Sequence, residues 1–318
     1  MKKCNDNFIL AIETSCDDTS IALFKNNELL SLSESTSIKE YQKYGGIIPE
    51  IASRKHEECI NEVYLKCLSN SKIEQKDINY IAYTAFPGLP GSLHVGKIFA
   101  KTLSFLLKTK LIPVDHMMGH AFSFAIENPL LVKFPLLSLV VSGGNTILYL
   151  FSSLTKYVIV NQTVDDPLGE CLDKIGRMIG LGYPGGVSLD KNYDESKSNL
   201  QLIKHLDASK PFSFSGIKSF AHNYVNTHKQ KNKKIDNVLV GSSCLKWCIE
   251  DIIIKLQYYI NMHNVKTIGI GGGVAANALL QHKIKNIAGA NVYITSRKYC
   301  GDNAAMIGFY VSLLLQKS

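Results

Sequence analysis

The sequence predicts an α/β protein built from two duplicated lobes. Three observations predict it. Two stretches about 127 residues apart share one pattern of strands and turns. Each is followed by alternating helical and strand periodicities, which implies mixed sheets covered by helices. The 318 residues are long for one core and comfortable for two domains. The repeat is too long for a solenoid and suits a duplicated domain.

The first stretch reads Phe8-Ile-Leu-Ala-Ile-Glu-Thr-Ser-Cys-Asp-Asp-Thr-Ser-Ile-Ala-Leu-Phe24 and continues over 28–33. The second reads Pro135-Leu-Leu-Ser-Leu-Val-Val-Ser-Gly-Gly-Asn-Thr-Ile-Leu-Tyr-Leu-Phe151 and continues over 156–161. Both give an apolar strand, a tight turn of small polar residues, a second strand, a short turn and a third strand. Thr19 and Thr146 stand where each turn passes into the second strand. Next, Ile60, Val63, Tyr64, Cys67 and Leu68 fall on one helical face. A buried strand is expected over 78–85, a helix through Val95, Ile98, Phe99, Thr102, Leu103 and Leu106, and a short strand over 111–114. In the second half Leu245, Ile249, Ile252, Leu256 and Ile260 mark a long helix, and 267–270 and 292–295 read as strands. A closing helix is expected over 302–315. The division expected is an N-terminal lobe over 1–134, with helix 303–318 packing back on it, and a C-terminal lobe over 135–302, with a ligand cleft between them.

Composition narrows the class. Hydrophobic residues at 46% and charged residues at 19% exclude a disordered chain. The apolar run 8–12 after Lys2 and Lys3 stops at Glu13, too soon for a signal segment, and no run reaches the length of a membrane span. A cytoplasmic protein that does not engage a membrane is expected. Eight scattered cysteines form no CxxC pair and read as free thiols; Cys244 and Cys248, one helical turn apart, lack a second pair to complete a metal site. The net charge of +8 is uneven. Residues 196–234 hold eight lysines and one acid, Asp207, ending in Lys229-Gln230-Lys231-Asn232-Lys233-Lys234. Such a run is either a solvated face or a contact surface for a polyanion.

Several motifs carry chemistry. Ser142-Gly143-Gly144-Asn145-Thr146 lets a phosphate approach the main chain, and Thr14-Ser15-Cys16-Asp17-Asp18-Thr19 forms a matching turn with hydroxyls and carboxylates. Gly271-Gly272-Gly273-Val274-Ala275-Ala276-Asn277 follows a strand and opens a helix, a place for a flat ligand or a phosphate. Tyr183-Pro184-Gly185-Gly186 is a turn that packs over a ribose or merely reverses the chain. His116 and His120, at i and i+4 behind an N-capping Asp115, project from one helical face and suit one cation. The plain alternative is a pair of half-buried histidines. Met117 stands where a zinc protease of the paired-histidine type needs glutamate, which disfavours that activity. Asp302, in Gly301-Asp302-Asn303-Ala304-Ala305, reads as a third ligand or as a helix N-cap. Two histidines with a carboxylate suit iron, zinc or manganese.

Together these motifs resemble the universal tRNA threonylcarbamoyladenosine transferase family, whose members have also been described as sialoglycoprotein endopeptidases. The likeness runs from Ile12-Glu13-Thr14-Ser15-Cys16-Asp17-Asp18-Thr19 to Asp302-Asn303-Ala304-Ala305-Met306-Ile307-Gly308. Between them, in order, lie Tyr44-Gly45-Gly46-Ile47-Ile48-Pro49-Glu50, the histidine pair, the 141–146 turn, Tyr183-Pro184-Gly185-Gly186 and Phe212-Ser213-Phe214-Ser215-Gly216-Ile217-Lys218. The resemblance implies the duplicated lobes of the actin and sugar-kinase class, which share an RNase H-like core. It implies transfer of a threonylcarbamoyl group from threonylcarbamoyl-AMP to N6 of the adenosine next to the tRNA anticodon. Carried over by motif, the metal ligands are His116, His120 and Asp302, with Fe(II) the usual ion and zinc or manganese the alternatives. Val140, Val141, Ser142, Gly143, Gly144, Asp173, Gly186, Asp190 and Asn277 are the expected substrate contacts. The resemblance also implies tRNA as substrate and a complex with a degenerate paralogue and a small ATPase. Four positions depart from the family pattern: Phe86, Asn145, Ala275 and Gly301, with Asn145 standing where bacterial relatives often carry histidine. Glu13, Asp17 and Asp173 are candidates to accept the amine proton. Two other readings stay open, a phosphotransferase or ATPase of the same fold and a non-catalytic scaffold. The histidine pair separates them from a transferase, because kinases hold magnesium through carboxylates and phosphates.

Overall fold

The two opening strands of the repeat, 8–13 and 136–141, each become the centre of a five-stranded mixed sheet. The computed structural model describes residues 6–37, 41, 46–201 and 206–316. Tyr44 and Gly45 of the 44–50 motif, with Cys4 and Lys204, lie outside the described residues.

The first sheet contains β1 (Phe8–Glu13), β2 (Asp18–Lys25), β3 (Glu28–Thr36), β4 (Tyr80–Phe86) and β5 (Lys110–Asp115), in the order β3-β2-β1-β4-β5. β1, β2 and β3 form an antiparallel meander, whereas β4 and β5 run parallel to β1. β1 is an almost unbroken apolar run because both its faces are covered. Between β3 and β4 comes α1 (Pro49–Ser71), whose buried face contains Ile60, Val63, Tyr64 and Cys67. Pro49 stands in its first turn, where a missing N–H costs nothing. α2 (Pro90–Leu107) connects β4 to β5, and α3 (His116–Phe122) follows β5 directly.

The second sheet repeats this plan with β6 (Leu136–Val141), β7 (Thr146–Phe151), β8 (Tyr157–Gln162), β9 (Thr267–Gly271) and β10 (Asn291–Ile294), ordered β10-β9-β6-β7-β8. Again three antiparallel strands come first, and β9 and β10 add in parallel. Its helices are α4 (Leu168–Met178), α5 (Gly185–Lys191), α6 (Ser215–Gln230), α7 (Asn237–His263) and α8 (Ala278–Ile284). The repeated threonines have parallel duties. Thr19 Oγ1 lies 2.7 Å from His56 Nδ1 on α1, and Thr146 Oγ1 accepts from Leu168 N at the start of α4 at 2.9 Å. Each ties its hairpin to the helix that follows the meander.

α9 (Ala304–Gln316) ends the chain. It is buried from Ala304 to Leu313 and packs on β1, β2 and α3. A helix apolar all round must be enclosed. The chain divides into one unit of residues 1–131 with 301–318 and a second of 132–300. The return therefore falls two residues earlier than the sequence boundary at 302, and Asp302 belongs to the first unit. The reason is local: Ala304 N donates to Ser20 Oγ on β2 at 2.9 Å, so the chain has rejoined the first sheet by that point. Among the described residues every cysteine is free, with Cys244 and Cys248 in the apolar core of the second unit. No described helix is long and apolar enough to cross a membrane.

Candidate active site

In the first unit, β1, β4 and β5 run parallel; Glu13 and Asp115 end β1 and β5, and Thr84 stands two residues before the end of β4. Asp115 caps α3 by accepting from Met117 N at 2.8 Å, as the sequence suggested. The i, i+4 spacing brings the rings of His116 and His120 to 4.6 Å between centroids. Their Nε2 atoms lie 3.4 and 3.0 Å from Asp302 Oδ1. One ligand atom from each of the three residues falls within 4.8 Å of the other two. Asp302 is not the N-cap of α9. Asn303 takes that role, its Oδ1 accepting from Met306 N at 3.1 Å, and this leaves the Asp302 carboxylate to the histidines.

Behind His116 stands Glu13, which is wholly buried. Its Oε1 accepts from Ser15 N at 2.5 Å, and its Oε2 accepts the Thr84 hydroxyl and lies 3.0 Å from His116 Nδ1. Burial works against charge at His116, yet the carboxylates of Glu13 and Asp302 outweigh it and hold the imidazole well above its usual pKa. Burial likewise opposes both carboxylates, and the His116 imidazolium nevertheless holds them below the ordinary range, Asp302 far below. Burial pushes His120 down, so its ring is neutral. Two carboxylates facing one imidazolium and one neutral imidazole make a buried pocket that favours positive charge. The donor set fits a borderline divalent cation. Glu13 is engaged through both oxygens and closed to solvent, a place suited to holding the His116 ring. Metal-free Glu13→Gln protein is therefore expected to bind the cation about 10–100-fold more weakly. Titration with Fe(II) or Zn(II) measures this, and an unchanged affinity would refute the role. Burial and then the charge of Asp302 raise the pKa of Asp17.

Sequence reasoning missed Thr84, Asn303 and His56. The His56 ring bridges Thr19 Oγ1 and the carbonyl of Cys16 (Nε2 to O, 3.1 Å), pinning the 14–19 turn to α1. None of the three has a spacing signal; Thr84 sits inside an apolar strand and His56 inside a helix.

The second unit holds a separate cavity of about 230 Å³. Of the expected contacts, Gly143, Asp173, Gly186, Asp190 and Asn277 line it. The 142–145 turn and the 271–277 loop thus meet at one cavity. Gly169 lets α4 press against the turn, since a Cβ there would sit 2.5 Å from Ser142 O. Asp173 Oδ1 accepts from Gly186 N at 2.7 Å, and burial raises its pKa. Both oxygens of Asp190 lie 3.0 Å from Ala278 N, and Asn277 Oδ1 caps α8 through Leu280 N at 2.9 Å. These side chains shape the wall by gripping main-chain amides. Val140 and Val141 are not part of the lining. They are fully buried within β6, where β7 and β9 flank them. Ser142 and Gly144 also lie outside the lining, and the Ser142 hydroxyl accepts from Asn145 N at 3.1 Å. Arg297 lines the cavity and was not singled out in the sequence.

The family model described as tRNA N6-adenosine threonylcarbamoyltransferase matches residues 28–309. A protein of that name from Ureaplasma urealyticum is 47% identical over 310 residues, covering 97% of this chain and 95% of its own. Another from Fusobacterium nucleatum is 41% identical over 304 residues, covering 94% and 89%. Among solved structures, HypF of T. kodakarensis is similar with a TM-score of 0.65 at 12% identity, over 98% of this chain and 48% of that one. Component A of the (R)-2-hydroxyglutaryl-CoA dehydratase of Acidaminococcus fermentans is similar with a TM-score of 0.56 at 12% identity, over 98% and 99%. At such identities the structures speak for the fold, the actin and sugar-kinase class of duplicated α/β lobes. By sequence, this chain belongs to the tRNA N6-adenosine threonylcarbamoyltransferase family.

Proposed function

We propose that this transferase works with one divalent cation held by His116, His120 and Asp302, and with threonylcarbamoyl-AMP bound in the cavity of the second unit. The reaction moves the threonylcarbamoyl group from threonylcarbamoyl-AMP to N6 of the adenosine next to the anticodon in tRNAs that read codons starting with A. The N6–carbon bond forms, the carbonyl–phosphate bond breaks, and AMP leaves with its electron pair. The observation that carries the metal assignment is the convergence of two imidazoles and a carboxylate at the buried ends of β5 and α9. When bound, the cation supplies electrophilic stabilisation of charge developing on oxygen. Fe(II) is the ion we assign, with zinc and manganese compatible with the same donors. Glu13 holds the His116 ring, and Asp17 and Asp173 are the carboxylates that stand as acceptors for the amine proton. The glycines of the 142–145 turn and the 271–277 loop let a nucleotide approach main-chain amides.

The test is a transfer assay. Metal-loaded protein, threonylcarbamoyl-AMP and unmodified tRNA should yield threonylcarbamoyladenosine by nucleoside mass spectrometry. It should be run alone and with the partners proposed here, a degenerate paralogue and a small ATPase, in a cytoplasmic complex. No modified nucleoside under either condition would refute the reading.

The lysine-rich segment is the proposed contact for tRNA phosphates. Lys197 is paired with Asp236 at the surface and Lys218 with the less exposed Asp166, so both charges already have partners. Lys229, Lys231, Lys233 and Lys234, at and beyond the end of α6, are exposed and unpaired among the described residues. Phe212 and Phe214 are wholly buried and pack the core rather than meeting bases. Changing the four exposed lysines to serine should weaken tRNA binding. It should also reduce the slope of log affinity against log salt by about 0.7–0.9 for each phosphate no longer neutralised. Binding curves across a salt series check it, and an unchanged slope would reduce the segment to a solvated loop.

A further inference from the structure

We propose that Arg297 reads the phosphate of the adenylate and is the main charged determinant of nucleotide binding in the cavity of the second unit. The inference rests on the adenylate reading of that cavity and deepens it. Among the cavity-lining residues Arg297 is the one cation. Two acids, Asp173 and Asp190, share the wall, but both are turned to main-chain amides, Gly186 N and Ala278 N. The guanidinium has neither an ion pair nor a hydrogen bond with any described residue. A fixed fork of five donors left without a carboxylate, beside a cavity, matches an incoming anion with bidentate geometry.

The main chain beneath this side chain is held firmly. Thr295 N and Oγ1 both donate to Ile270 O, at 2.9 and 2.8 Å, and Cys300 Sγ donates to Thr295 O at 3.3 Å. Tyr299 and Cys300, which complete the short helical turn that Arg297 opens, are both buried. The neighbouring cation, Lys298, lies over the Tyr299 ring at 4.6 Å and does not line the cavity. The two adjacent positive charges are thus distinguished by position. The wall also includes Gly143 and Gly273, and a Cβ at either would meet nothing within 4 Å. That open space leaves room for phosphate oxygens against the peptide groups. The adenylate substrate bears one negative charge on its phosphate and the AMP product two, so one guanidinium serves both.

The experiment compares AMP with adenosine. Titration calorimetry on the full chain should show that Arg297→Ala binds AMP about 10–100-fold more weakly, the range expected for lost hydrogen bonds to a charged group. Adenosine affinity and metal content should stay at wild-type levels. Arg297→Lys should recover part of the loss, because it restores the charge without the fork, and Lys298→Ala should leave AMP binding unchanged. If Arg297→Ala weakens adenosine and AMP alike, the side chain props the wall or stacks on the base and the inference fails. Unchanged AMP binding overturns it as well. Wild-type protein that binds neither ligand would overturn the cavity assignment itself, and the inference with it.

Discussion

Replacing Asp302 by asparagine is expected to strip the cation from the protein and lower transfer about a thousandfold, with the fold retained. The charge is what matters here. Asp302 Oδ1 is the atom shared by the two histidine Nε2 atoms, and an amide oxygen in its place binds a divalent cation poorly. A cation acting as a Lewis acid lowers the barrier by several kcal/mol. Since each factor of ten in rate is about 1.4 kcal/mol, a thousandfold loss is a moderate expectation. The side chain is 26% exposed, and asparagine has nearly its volume, so packing should not change. Metal analysis after dialysis and the transfer assay give the two readouts. Retained metal with a rate within tenfold of wild type would refute the ligand assignment.

The histidines should not behave alike under the same test. His120→Ala removes a neutral ring. His116→Ala also removes the charge partner of Glu13, which is wholly buried. Leaving a buried carboxylate uncompensated typically costs about 3–5 kcal/mol. The His116 variant should therefore lose both metal and stability, and the contrast between the two reports on Glu13 directly.

Much of this centre was legible in the sequence, and the reason is periodicity. His116 and His120 share a helix, and the helical repeat fixes their common face without any tertiary information. The duplicated meander was legible on the same ground: β1 and β6 are apolar runs followed by small polar turns, and they took equivalent central places in their sheets. What could not be read was which of two adjacent residues does which job. Asp302 and Asn303 are both good N-caps by type, and only the meeting of α9 with α3 assigns the cap to Asn303 and the carboxylate to the histidines. In the sequence Glu13 is one of three candidate proton acceptors. Its saturation by Ser15, Thr84 and His116 depends on three strand ends coming together, and no local pattern encodes that. Val140 and Val141 came from the family resemblance, and in the fold they are wholly buried in the central strand β6 and do not line the cavity. Arg297 was passed over because a lone arginine in a short turn carries no spacing at all.

The glycine loop offers the second large effect. Gly272→Ala is expected to cost about 3 kcal/mol or more of stability and to abolish measurable AMP binding. At Gly272 the main chain has φ +95°, which L side chains rarely adopt, and holding a residue in such a region costs on the order of 1–3 kcal/mol. A Cβ there would also sit 2.2 Å from Val141 O and 2.7 Å from Val141 C. Those atoms cannot give way, because β6 is hydrogen-bonded to β7 on one side and β9 on the other. The loop itself must move, and with it Gly273, Val274, Ala276 and Asn277, which form one wall of the cavity. Gly273→Ala supplies the contrast. Its φ is ordinary and its Cβ would point into open space, so stability should change by no more than about 0.5 kcal/mol, while a methyl group at the wall should weaken AMP binding. Denaturant melts and AMP titrations on both variants separate folding from binding. The histidine centre lies in the other unit, so both should retain the cation in full. Equal stability for the two variants would show that the loop tolerates a side chain at Gly272, and its close approach to β6 would then not be what sets the shape of the cavity.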